Sequence, residues 1–409
     1  MGFCPWVVLN ARIAGLFQWF HPLFLLLRAI PHGFSVIILP AACTFPQCHE
    51  EENDVAATPF HLELGREYAP PDEAADIAAT LAAMTGQFER DFPPGCPGPV
   101  RRDQHPKAHG CVRAVFTVAG DLPEEVRHGL FRAPRSYDAW VRFSSSSPLM
   151  TPDTKRDAHG MAIKLLGVPG PKVLEDERDA ETQDFILANN DAFFVRSAKD
   201  YAAFAQAFTS GRLLSFFFGL HPLHCRLREL SNMLTAVGKR ITNPLQTRYW
   251  SQTPYRLGPH AVKYSARPLS PALDPVPDAP GPDFLRQAMA ATLRREEIVF
   301  EFMVQVQTDP IRMPVEDPTV VWDERVSPFQ CVAILHIPIQ ECDTPERCAF
   351  AENLSFNPWH SLPEHRPLGN TNRIRRQVYE AISGIRHSRN GVPSNEPRGK
   401  PREEPRDGL

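Results

Sequence analysis

The chain has 409 residues, 43% hydrophobic and 22% charged, enough to bury a core in one large domain or two ordinary ones. A net charge of -4, with no concentrated basic tract interleaved with aromatics, argues against nucleic acid as a partner. The nine cysteines are odd in number and lack CxxC spacing, so neither a zinc site nor a disulfide framework is indicated.

Residues 1–54 stand apart as an apolar N-terminal extension. From Ile13 to Cys48 the only charged side chain is Arg28, yet Pro22, Pro31 and Pro40 cut the stretch into pieces too short to cross a membrane. It is a signal, an anchor or the product of a start codon assigned too far upstream. The last alternative is favoured and goes with a cytoplasmic protein; export or membrane association follows only if residues 1–48 are a true targeting segment.

Asp72 to Phe92 has the acidic start and apolar spacing of an amphipathic helix. Residues 110–118, 137–145 and 160–166 are expected strands, and 169–183 a polar surface insertion. Ser197 to Phe208 is an expected helix. Leu213 to Gly258 is expected to be helical and irregular, and Pro268 to Pro282 a proline-rich loop. A helix over 284–295 feeds the alternating strand 298–307, followed by a strand over 331–338 and a last helix from Asn372 to Arg386. Residues 389–409 are polar and rich in Pro, Arg and Glu, an expected disordered tail. Strands first, with helices around and after them, predict an α+β fold with an antiparallel sheet or barrel.

The last helix carries the first chemical signal. Arg375, Tyr379 and Arg386 stand at i, i+4 and i+11, on one side. A phenol beside guanidinium groups ionises more easily, and a tyrosinate is an axial ligand for ferric haem iron. By itself, the same pattern is what any basic amphipathic helix with one buried tyrosine shows.

Three further segments add to it. They are Arg102-Asp103-Gln104-His105-Pro106-Lys107-Ala108-His109-Gly110; Val141-Arg142-Phe143-Ser144 with Arg156-Asp157-Ala158-His159-Gly160-Met161-Ala162-Ile163-Lys164; and Asp184-Phe185-Ile186-Leu187-Ala188-Asn189-Asn190-Asp191-Ala192-Phe193-Phe194. In order, spacing and residue type the four together resemble the haem catalase superfamily, over roughly residues 58–388. His159 and Met161 depart from its pattern, and the gap between the asparagine pair and Phe193 is one residue short.

The resemblance implies an eight-stranded antiparallel β-barrel with surrounding helices, a haem domain over 55–388, and haem b (iron protoporphyrin IX) as cofactor. It implies Tyr379 as the iron ligand, kept ionised by Arg375, and Arg102, Arg142 and Arg386 as partners of the haem propionates. Phe193 becomes an apolar wall over the haem. Asn189, with Asn190 as alternative, donates to the peroxide, and Ser144 orients the distal imidazole. His105 and His109 both qualify as that imidazole; His105 keeps the family's spacing, while His109 lies in an Ala-His-Gly context like that of the smaller catalase-related proteins and is preferred.

The implied activity is catalase or peroxidase action on hydrogen peroxide or organic peroxides, through a ferryl intermediate and with an organic reductant as a second partner. Alternatives are a fatty-acid hydroperoxide isomerase or lyase of the allene oxide synthase type, and a haem-binding protein without turnover. The larger catalases' C-terminal helical and flavodoxin-like domains are expected to have no counterpart here. A homo-oligomer, dimer or tetramer, is expected by analogy.

Overall fold

The computed structural model describes residues 62–218, 225–269, 274–394 and 396–397; the apolar extension expected over 1–54 lies outside them. The strands are β1 (Ala108–Val118), β2 (Ser136–Ser145), β3 (His159–Leu166), β4 (Thr182–Ala188), β5 (Tyr249–Trp250), β6 (Tyr255–Leu257), β7 (His260–Pro268), β8 (Ile298–Val306) and β9 (Gln330–Ile337). They pair antiparallel in the order β5-β4-β3-β2-β1-β9-β8-β7, and β5 pairs back onto β7, which closes an eight-stranded barrel with β6 as a short appendage on β7.

Alternation along each strand decides what the barrel holds. Val112, Ala114 and Phe116 of β1, Val141 and Phe143 of β2, Met161 and Ile163 of β3 and Phe185 and Leu187 of β4 all point into one buried core. Phe302 packs there against Phe116 and Phe185, with ring centroids 5.0 and 4.8 Å apart. The residues between them face outward, towards the helices.

Seven α-helices are described: α1 (Glu73–Asp91), α2 (Ala198–Thr209), α3 (Leu213–Phe217), α4 (Leu227–Gly238), α5 (Phe284–Leu293), α6 (Pro345–Asn353) and α7 (Asn370–Asn390). The chain from Tyr249 to Gly258, expected to be helical and irregular, instead supplies β5 and β6, and the surface segment over 169–183 ends inside β4. Two-residue β5 is too short to show alternation; only pairing on both sides makes it a strand.

α7 is held firmly at its start. Arg373 pairs with Glu67, Glu73 and Glu316 at 2.5–2.8 Å. The Asn372 side-chain amide donates to the carbonyls of Pro254 and Leu368, and the Asn372 backbone carbonyl accepts from the Trp359 indole at 2.7 Å. Ile374, Val378 and Ile382, four apart, pack with Ile77 and Phe88 of α1. The helix ends where Gly391 turns left-handed at φ 64°.

Beyond α7, in the expected tail, Glu396 reaches back to the outer face of the barrel. It accepts from Lys164 at 2.5 Å and from Thr182 at 2.7 Å, and Lys164 also meets Asp184 at 2.7 Å. His360 bonds Asp184 at 3.1 Å and contacts Glu177. Burial alone would lower the His360 pKa, but hydrogen bonds to Asp184 and Glu177 outweigh it and raise it to about 9. Because that value exceeds the unfolded one, the stabilisation is complete below about pH 6.5 and is lost as pH rises through about 9. The Glu396 pKa is lowered, so its share is lost only as pH falls into the acid range. The melting temperature is therefore expected to drop more steeply between pH 6.5 and 9 in the wild type than in His360→Gln; parallel profiles would refute this assignment.

Candidate active site

Ser144 and Ser145 are consecutive in β2 and therefore point to opposite faces. Ser144 lies opposite Gly160 on the outer face with Arg142, while Ser145 lies opposite His159 and continues the barrel-facing row of Phe143 and Met161. Each serine takes one of the two candidate histidines. His105 Nδ1 lies 3.0 Å from Ser144 Oγ, and His109 Nε2 lies 3.0 Å from Ser145 Oγ. A β-bulge between Ala108 and Gly110 carries His109. The serine expected to orient the distal imidazole thus pairs with His105, and the preferred His109 sits on the other side of the sheet.

His105 is held in an unusual backbone conformation, φ +57° just before Pro106, with its carbonyl accepting from Arg142 Nη2 at 2.8 Å. Such backbone is uncommon outside glycine and clusters at functional sites. Its ring lies over Gly160, where an added Cβ would come within 2.7 Å of Cε1. Burial, followed by Arg142 and His159, lowers its pKa to about 3, so the imidazole is neutral at pH 7.

Three arginines gather nearby on the same outer face. Arg102 donates to the carbonyls of Ala351 and Leu354 at the end of α6 and pairs with Glu352 at 3.4 Å. Arg386 of α7 donates to the Glu352 carbonyl and to Ser355 Oγ. Burial, reinforced by Arg102, lowers the pKa of Arg142 to about 9 and that of Arg386 to about 10. Arg142 Nε is buried without a hydrogen-bond partner. The acids among them are Glu352 and Asp103, and burial pushes Asp103 up to about 6. Arg142 and Arg386 are buried and Arg102 partly so, and only Glu352 and Asp103 lie among them to offset their charge.

On α7, Arg375 donates to Thr253 Oγ1 at 3.1 Å and to Asn372 Oδ1 at 3.3 Å, and its guanidinium lies 5.4 Å from the Phe193 ring. Phe193 stacks on Tyr201 at 6.2 Å. Burial pushes the Tyr379 phenol above its ordinary pKa; Arg375 pulls it down, and Asp103 pushes it up again. Together these leave the phenol's pKa raised, burial outweighing the pull of the Arg375 guanidinium.

Asn189 joins the barrel-facing group. Its Oδ1 accepts from the His159 backbone at 2.9 Å, and its amide nitrogen Nδ2 is buried without a partner. Asn190 donates to the Ala192 carbonyl at 2.7 Å, as an asparagine in a turn does. The residues that sequence reasoning left without a role are Asp103 and His159. Both lie inside the quoted motifs; for His159 the signal was its departure from the family pattern, and Asp103 gave none.

No protein-family model and no curated protein matches the chain in sequence. Solved structures do. A fungal catalase aligns with TM-score 0.57 and 15% identity, covering 76% of this chain and 62% of its own. A bacterial catalase aligns with TM-score 0.54 and 17% identity, covering 80% and 66%, and catalase A from Saccharomyces cerevisiae with TM-score 0.54 and 15% identity, covering 81% and 68%. At these identities the likeness is one of fold: this chain has a catalase-like fold, a closed eight-stranded antiparallel barrel with helices around it. It spans about two thirds of the length of each of these catalases.

Proposed function

We propose that the chain binds haem b between the outer face of β1–β3 and α7 and uses it to react with peroxide. The observation that carries this is the cationic surplus of buried Arg142 and Arg386 and part-buried Arg102, placed on the same face as the neutral His105. Haem fits these residues: its two propionates would answer the arginines, and its iron would be held by Tyr379. When bound, it supplies a redox-active iron for a peroxide oxygen to meet. Bound iron would add to Arg375 in stabilising the Tyr379 phenolate against the cost of burial.

His105 then has a defined task. A base must take a proton from one peroxide oxygen and return it to the other, which requires an unprotonated ring nitrogen. With Nδ1–H donating to Ser144 Oγ, Nε2 is that acceptor. Arg142 fixes the backbone that aims it. Phe193 lies beside Arg375 and Tyr201 and keeps that end of the site apolar.

Purified or haem-reconstituted protein is expected to show a Soret band, and its reaction is read by oxygen evolution with hydrogen peroxide against oxidation of a phenolic dye. Oxygen evolution identifies a catalase, and dye turnover with negligible oxygen a peroxidase. Conversion of a fatty-acid hydroperoxide without either identifies a rearranging enzyme. A chain that takes up no haem would overturn the proposal, and one that takes it up but never reacts would be a binding protein.

A further inference from the structure

His109 and His159 remain without a task once His105 is the base. Both are buried, 1% and 5% exposed, with ring centroids 5.7 Å apart. His109 spends Nε2 on Ser145, and the Nδ1 atoms of both rings, with Nδ2 of Asn189, are buried and unpartnered. Burial also holds both imidazoles below their ordinary pKa, so each ring offers one donor and one acceptor. The register sets them together: His159 lies opposite Ser145, and Asn189 and His159 exchange two bonds of 2.9 Å through the Asn189 side chain and the backbones. Buried polar atoms are almost always satisfied, and one oxygen bonded to two nitrogens spans up to about 5.8 Å.

We infer that His109 and His159 form a binding site, on the barrel side of β2–β3, for one small hydroxylic molecule, water or hydrogen peroxide. The molecule donates to one ring nitrogen and accepts from the other or from the Asn189 amide. Gly160, next to His159, carries the His105 ring on the opposite face, so the site backs onto the distal base. Its role as a holding position for substrate rests on the peroxide chemistry proposed above, whereas the pocket itself does not depend on haem.

The test is a high-resolution crystal structure of the full chain, with a second one of Tyr379→Phe crystals soaked in hydrogen peroxide so that turnover does not consume it. An oxygen within hydrogen-bond distance of both Nδ1 atoms is expected. A single oxygen that persists in the soak identifies water, and a two-oxygen feature identifies peroxide. In solution, His109→Leu strands Ser145 Oγ, and both it and His159→Leu would strand the bound molecule; each should lower Tm by roughly 2–4 °C, with the double variant losing less than the sum. Rings bonded directly to each other, no oxygen between them, or strictly additive Tm losses would overturn the site. Failure to bind haem would remove the substrate role and leave the pocket standing.

Discussion

Tyr379→Phe is expected to weaken haem binding on the order of 100-fold or more, and to abolish the phenolate-to-iron signature in whatever haem remains. The Tyr379 side chain is partly buried among apolar residues, desolvation raises its pKa above the ordinary value, and Asp103 opposes its ionisation. A proton must therefore leave Tyr379 when iron arrives, so haem affinity should rise with pH across the neutral range. Arg375→Ala should weaken binding less, because that guanidinium offsets only part of the burial penalty. Titration of haem into each variant, followed at the Soret band at several pH values, checks all three statements. An unchanged spectrum in Tyr379→Phe would move the ligand elsewhere.

His105→Ala should slow the reaction with peroxide by about 10²–10⁴-fold, the usual range for loss of a general base. His109→Ala should fall short of that loss by at least about tenfold, since its ring faces the barrel. Stopped-flow Soret changes on mixing with hydrogen peroxide give both rate constants, while the starting spectrum reports whether haem binding survived. The reverse ranking would return the base to His109. The contrast follows from strand alternation: Ser144 and Ser145 are neighbours in sequence but face opposite sides of one sheet.

Much of the fold was legible without coordinates, for definite reasons. β1, β2, β3, β8 and β9 carry enough β-branched and aromatic residues to show their alternation, and α1 and α7 repeat apolar residues every three or four positions. β5 was not legible: a two-residue strand has no period, and it exists because β4 and β7 lie on either side of it. Nor was the docking of Glu396 beyond α7, since a glutamate in a polar, proline-rich segment says nothing of the Lys164 and His360 that receive it.

The same division runs through the candidate site. The sequence by itself determined the inventory: a tyrosine and two arginines on one side of a helix, an arginine and serine at the end of a strand, two histidines four residues apart. Residue type and local period are properties of short segments, so no tertiary contact was needed to see them. Which histidine meets Ser144, whether Tyr379 ionises, and where the buried arginines gather were decided only by the tertiary structure. Those depend on barrel register, on a bulge at His109 and on burial from α6 and α7, which are interactions between segments far apart in the chain.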